Sequence, residues 1–278
     1  MKVLNVYAIV AVGVLSVFSL GCQSQISYLQ ARNELNKGVQ AFTAADYQTA
    51  VTRFTNALDL DPSLTDAKAY RSYAYMNQFY PGSVDPENLK LAEQAIDGFQ
   101  EVLEVDPNNM LAVSSMASLY FNMKDFDKAE QWHRKRIELA MAQEPVDAGA
   151  ADSYYTIGVI KWTDSYQPRI AARTEMGMEA TEPGPLKNAD QRQELAVEAV
   201  PAIESGLEAL NSALQVNPDY ADAMIYLNLL ERERADFAES QEEYDQHIAE
   251  ANKWVEKALA TKRRLAEEGT TEQFQTAE

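Results

Sequence analysis

The sequence predicts an all-α protein built from a stack of helical hairpins. Three observations carry that prediction. The same phrase closes a helix three times: ALDLDPS at 57–63, VLEVDPN at 102–108 and ALQVNPD at 213–219. Each ends on Asp or Asn followed by Pro62, Pro107 or Pro218. Proline cannot continue a helix, and it pushes the residue before it out of helical geometry. The residues upstream of the three prolines also match in spacing. Ala57, Phe54 and Ala50 lie five, eight and twelve residues before Pro62; Val102, Phe99 and Ala95 do so before Pro107, and Ala213, Leu210 and Gly206 before Pro218. Internal repetition of this kind sets the architecture of a whole chain.

Small residues at such offsets let two antiparallel helices approach closely, and the Phe or Leu fills the gap between them. Residues 31–64, with Gly38 twenty-four before the proline and Asp46-Tyr47 in the turn, resemble the tetratricopeptide (TPR) repeat, a helix–turn–helix of about 34 residues. A second unit opens with DAKAYRSYAYMNQF, and PGSVDPEN lengthens its turn. A third unit spans 110–142 with a normal turn and the small residues Ala117 and Ala129. In it His133 and Arg136 replace apolar residues, which predicts a less buried second helix. The fourth opens at SYYTIGVIKW with Gly158 and closes at Pro218. ADAMIYLNLLERER and IAEANKWVEKALATKRR form a fifth, capping hairpin, in which Ala251, Val255 and Ala258 fit and no proline closes the unit. The resemblance implies a right-handed TPR-type solenoid of about five hairpins over 31–268, with insertions in repeats two, four and five.

The long insertion covers about 163–199. Pro168 is expected to end the preceding helix, and TEPGPLKNADQR at 181–192 reads as a surface loop. Residues 269–278 have no apolar period and read as a disordered tail.

The start of the chain follows a different pattern. Lys2 precedes an apolar run from Val3 to Leu20, and Gly21-Cys22 follows. A basic start, a short apolar core and small residues describe a signal peptide, here 1–21. Ser19-Leu20-Gly21-Cys22 resembles a bacterial lipobox, except that leucine stands one place late. The resemblance implies a diacylglycerol on Cys22, palmitate-type acylation, and a lipidated linker over 22–30. Gln23 rather than Asp after the cysteine implies the outer membrane, facing the periplasm. An uncleaved anchor or a plain secretory signal remains open, since the run is near the shortest length that spans a bilayer. Cys22 is the only cysteine, so no intrachain disulfide forms.

Composition narrows function. A net charge of −19 over 278 residues argues against nucleic acid, which requires a basic footprint, and keeps the chain soluble. WHRKR at 132–136 and KRR at 262–264 are local exceptions, read as solvated helix surface. No nucleophile elbow, phosphate loop, dinucleotide motif or H-E-x-x-H appears. His133 and His247 are far apart in sequence, so no histidine–cysteine metal site is expected. The neighbouring pairs Glu242-Glu243 and Glu267-Glu268 do not share a helix face and are poor acid–base partners. No catalytic residue, metal or cofactor is expected.

In TPR stacks the first helix of each hairpin lines the concave face. By that resemblance Tyr73 and Asn77, Asn122, Tyr155 and Trp162 are partner-binding residues, joined by Tyr166 and Arg169 from the insertion. Aromatic residues with a polar handle suit peptide recognition. Each of these aromatics is equally readable as core. The expected function is a non-catalytic protein-binding scaffold or adaptor in a bacterial envelope, serving assembly, secretion or pilus-type machinery. Its partners would be protein or peptide segments, with membrane contact through the lipid alone and no nucleic acid. The alternative is a solute- or glycan-binding lipoprotein using 162–173.

Overall fold

The structure is a computed structural model and describes residues 26–179 and 181–275. The signal segment and Cys22 lie outside the described residues. Among the described residues the chain is helical, with no strand. It divides into two compact units, one ending at Asp125 and the other beginning at Phe126.

The first unit holds α1 (26–43), α2 (Tyr47–Leu60), α3 (Thr65–Gln78), α4 (Pro86–Val105) and α5 (Met110–Asn122). The segment read as a linker is already helical from 26. Helices α1 and α2 share a core of Leu35, Ala50, Phe54, Ala57 and Leu58. Ala50, Phe54 and Ala57 are fully buried, as are Ala95 and Phe99 in the next hairpin. Gly38 is there because a Cβ would run into the Phe54 ring. Asp46 caps α2 by accepting from the Thr49 N–H at 3.1 Å, and Asp85 and Asn109 cap α4 and α5 likewise. The turns after α1 and α5 each place a non-glycine residue in left-handed geometry, Ala45 at φ 58° and Lys124 at φ 61°. The next N–H then reaches back, Asp46 to the Ala41 carbonyl and Asp125 to that of Tyr120, both at 2.9 Å.

The three proline phrases fold identically. Asp61, Asp106 and Asn217 are each extended, with φ of −146°, −132° and −130°. Their side-chain oxygens accept from the N–H two residues on, at 3.0, 3.2 and 3.1 Å. This explains why Asp or Asn precedes the proline: the short side chain supplies an acceptor for the N–H beyond the ring and so closes the turn.

The second unit holds α6 (Phe126–Met141), α7 (Gly149–Glu175), α8 (Ala189–Val216), α9 (Ala221–Ala235) and α10 (Gln241–Gln275). Its core contains Ile203, Leu210, Leu227 and Leu230. Gly158 on α7 admits Leu210 of α8 at a distance no Cβ would allow. Ala251 and Ala258 of α10 are buried, and Val255 is half-buried.

Three expectations are corrected. Pro168 does not end a helix; it lies inside α7, and Ala172 and Arg173 beyond it are buried. Packing of that last stretch outweighs one lost hydrogen bond. The expected insertion is therefore mostly helix: α7 and α8 run 27 and 28 residues, joined by a segment at 176–188 that is anchored by buried Met178 and Leu186. Second, His133 and Arg136 are buried, not solvated. Arg136 pairs with Asp147, whose carboxylate also accepts from the Gly149 N–H. Lys262 and Arg264 stay at the surface, paired with Asp222 and Asp219. Third, the end of the chain is more helical than expected; the extra residues of repeat five form the start of α10 at Gln241. Helix α10 also continues to Gln275, into the segment read as a tail.

Candidate functional site

The second unit gathers four of the expected partner-binding residues. Tyr155, Trp162, Tyr166 and Arg169 sit on α7 at spacings of seven, four and three, which place them along one helix face. Helix α9 supplies Tyr226, and Tyr220 stands at its N-terminus. The result is a continuous ladder. Tyr155 meets Tyr220 at 5.1 Å and Tyr226 edge-on at 5.5 Å. Trp162 meets Tyr226 edge-on at 5.6 Å and Tyr166 at 4.8 Å. The Arg169 guanidinium lies 5.4 Å over the Tyr166 ring. All these aromatics are half-buried; Tyr155, Trp162, Tyr220 and Tyr226 pack against the core, and the Trp162 Nε1 is buried without a hydrogen-bond partner. Burial pushes the Tyr155 hydroxyl up to about 12, so it stays a neutral donor.

Beyond Tyr166 the ladder enters a cavity of about 240 Å³ between α7, α9, α10 and the 176–188 segment. Its lining holds six charged side chains, of which Arg169, Arg173, Glu233 and Asp236 form one network while Glu182 and Arg232 complete the set. Arg169 pairs with Glu233 and, at 2.8 Å, with Asp236. Arg173 reaches the other Asp236 oxygen at 2.7 Å. Arg173 is 2% exposed and also donates to the carbonyls of Glu179 and Glu182. It thereby ties the 176–188 segment to α7 and α9, and the Leu186 N–H adds a bond to the Asp236 carbonyl at 2.9 Å. Burial pushes the Glu233 carboxyl up to about 7, against the pull of Arg169. Both acids at the end of α9 hold Arg169 above its ordinary value despite burial, so it keeps its charge.

Arg169 therefore stands in the wall of the cavity with its charge already balanced from within. Sequence reasoning missed its partners. Glu233 and Asp236 lie in the charged run ERERADF, at the end of the first helix of the fifth hairpin. The signal was the proximity of that run to the buried Ala235 and Phe237.

The remaining expected residues lie in the first unit. Tyr73 packs edge-on against Phe99 at 4.9 Å, and burial raises its hydroxyl. Asn77 is exposed and donates to the Tyr73 carbonyl at 2.8 Å. Asn122, at the end of α5, is half-buried. They form no ladder comparable to that on α7.

Chemically, the α7 ladder offers rigid stacking area and neutral hydroxyl donors beside a closed ion-pair network. No histidine or cysteine lines the cavity. Among the described residues no cluster has the arrangement of a metal site, and no helix is long and apolar enough to cross a membrane.

No family model matches the sequence. Among solved structures, two crystal structures of MamA superpose on the chain. One has a TM-score of 0.52 and 17% identity, covering 83% of this chain and 96% of its own. The other has a TM-score of 0.53 and 16% identity, covering 86% and 94%. MamA from Desulfovibrio magneticus, residues 41 to the end, aligns with a TM-score of 0.50 and 14% identity, covering 82% and 96%. At such identities the likeness is one of fold: the chain is an all-α protein of the TPR type, as its repeat offsets and its three proline turns require.

Proposed function

We propose that this chain is a non-catalytic protein-binding scaffold of a bacterial cell envelope, and that the α7 ladder holds an extended or helical segment of a partner protein. The observation that carries the reading is the run of half-buried aromatics Tyr155, Trp162 and Tyr166 on one face of a TPR-type helix. Large rings with few rotatable bonds give contact area at low entropic cost. A solute- or glycan-binding role has less support beside the ladder, because the cavity there, about 240 Å³, is smaller than ordinary ligand clefts.

The anchor belongs to the same proposal. The apolar run ending in Gly21-Cys22 supports a lipid on Cys22, with the scaffold facing the periplasm from the outer membrane. Mass spectrometry of the mature N-terminus tests it. Acylated Cys22 is the expected species; a chain starting at Met1, or an unmodified Cys22, removes the lipoprotein reading.

Binding is tested separately by a photoreactive residue at Tyr166 in the native cell. Reproducible crosslinks from this position, absent from a control at exposed Glu93, are the expected result. Identical products from both positions would place the contact elsewhere.

A further inference from the structure

The opposite face of α7 carries a second surface. Asp164 and Pro168 stand about 200° around the helix from Trp162 and Tyr166. With Glu194, Leu195, Val197 and Glu198 of α8 they line a groove of about 600 Å³. Its apolar lining is Leu195, Val197, Ala199 and Ala202. Val197 is 73% exposed, and Leu195 is half-buried beside it. An exposed branched aliphatic in a groove is a place for another apolar side chain.

The rim is acidic. Asp164, Glu194 and Glu198 each contribute a carboxylate, and no cationic side chain lines the groove. Lys161, one turn before Asp164, is shared: its Nζ lies 2.6 Å from Glu130 and a longer 3.9 Å from Asp164, which leaves Glu194 and Glu198 as the groove's unshared carboxylates. Burial raises the Asp164 carboxyl against the pull of Lys161, and Glu130 and Asp127 add to the rise. Pro168 adds a second acceptor. It has no N–H, so the Asp164 carbonyl lacks its usual donor one turn on.

We infer that this groove binds a short basic amphipathic segment of a partner protein, its apolar residue seated on Val197 and its lysines or arginines meeting Asp164, Glu194 and Glu198. Charge complementarity selects this occupant. A second copy of the chain, itself at −19, would be repelled from an acidic rim. The groove stands apart from the aromatic ladder, so either surface can fail without the other.

The test uses the full chain in detergent and a labelled helical peptide of leucine and lysine, about 14 residues long, followed by fluorescence anisotropy at low salt. Val197→Asp is expected to weaken binding about tenfold, as is the pair Glu194→Lys with Glu198→Lys. Glu93→Lys with Asp97→Lys makes the same charge change on exposed α4, and less than about a twofold effect is expected there. Trp162→Phe should leave the peptide's affinity unchanged. Equal weakening by the two charge-reversed pairs would reduce the effect to bulk charge and overturn the site. Equal competition by a leucine–glutamate peptide would overturn the acidic rim. A chain that sediments as a dimer and dissociates on Val197→Asp would make the groove a self-interface instead.

Discussion

At the scale of single residues, His133 is the most informative exception to the repeat pattern. It replaces an apolar side chain and is buried, and neither ring nitrogen has a hydrogen-bond partner. Burial, aided by the Arg136 charge, pushes its pKa down to about 4. The folded protein therefore binds this proton more weakly than the unfolded chain, whose value is 6.5. The neutral ring is fully tolerated above pH 6.5, and stability is lost as pH falls from there toward 4. The upper bound is roughly 3 kcal/mol for a group this buried. Urea titrations of the wild type and His133→Leu across this range measure it. The wild type should lose more stability on acidification than the variant; parallel curves would mean that His133 titrates normally. Arg136, Arg169 and Arg173 teach the same lesson from the other side. Arg136 and Arg173 are buried and Arg169 is half-buried, each with carboxylate partners, and such pairs cannot be recognised from sequence because the partners lie 11 to 67 residues away.

The element scale separates what was legible from what was not. The hairpin ends could be read because each rests on a local rule: proline stops the helix, and Asp or Asn before it closes the turn. The same local rule misled at Pro168. There α7 continues, held by burial of Ala172 and by the Arg173 network, neither of which is local. Proline in a helix interior costs about 3 kcal/mol relative to alanine. Pro168 is exposed and packs little, so removing its ring costs few contacts. Pro168→Ala should therefore stabilise the second unit by about 1–3 kcal/mol, read as a higher thermal midpoint. A lower midpoint would show that the lengthened helix requires the proline's local geometry. The loop expected at 181–192 divided for a related reason. Its turn residues were legible, but Leu186 within them is buried through contacts made with distant residues.

For the molecule as a whole, the repeat offsets made the fold class readable, because the same small residues recur wherever two helices meet. The site was readable only in part. Tyr155, Trp162 and Tyr166 fall on one face by helical spacing alone, and the structure lines them up with Tyr220 and Tyr226 from a separate helix and its cap. Tyr73, Asn77 and Asn122 had the same claim by register, yet Tyr73 packs against Phe99. Register gives a residue's face but not whether a neighbour already occupies it.

The central claim is that the α7 ladder is a binding surface rather than core alone. Affinity for the partner crosslinked at Tyr166, measured beside the thermal midpoint for Trp162→Phe and Tyr166→Ala, tests it most directly. Trp162→Phe keeps an aromatic ring against the core and Tyr166 is not part of that core, so the midpoint should shift only slightly. At least one of them should lose about 2 kcal/mol or more in binding. Wild-type affinity in both folded variants would contradict it.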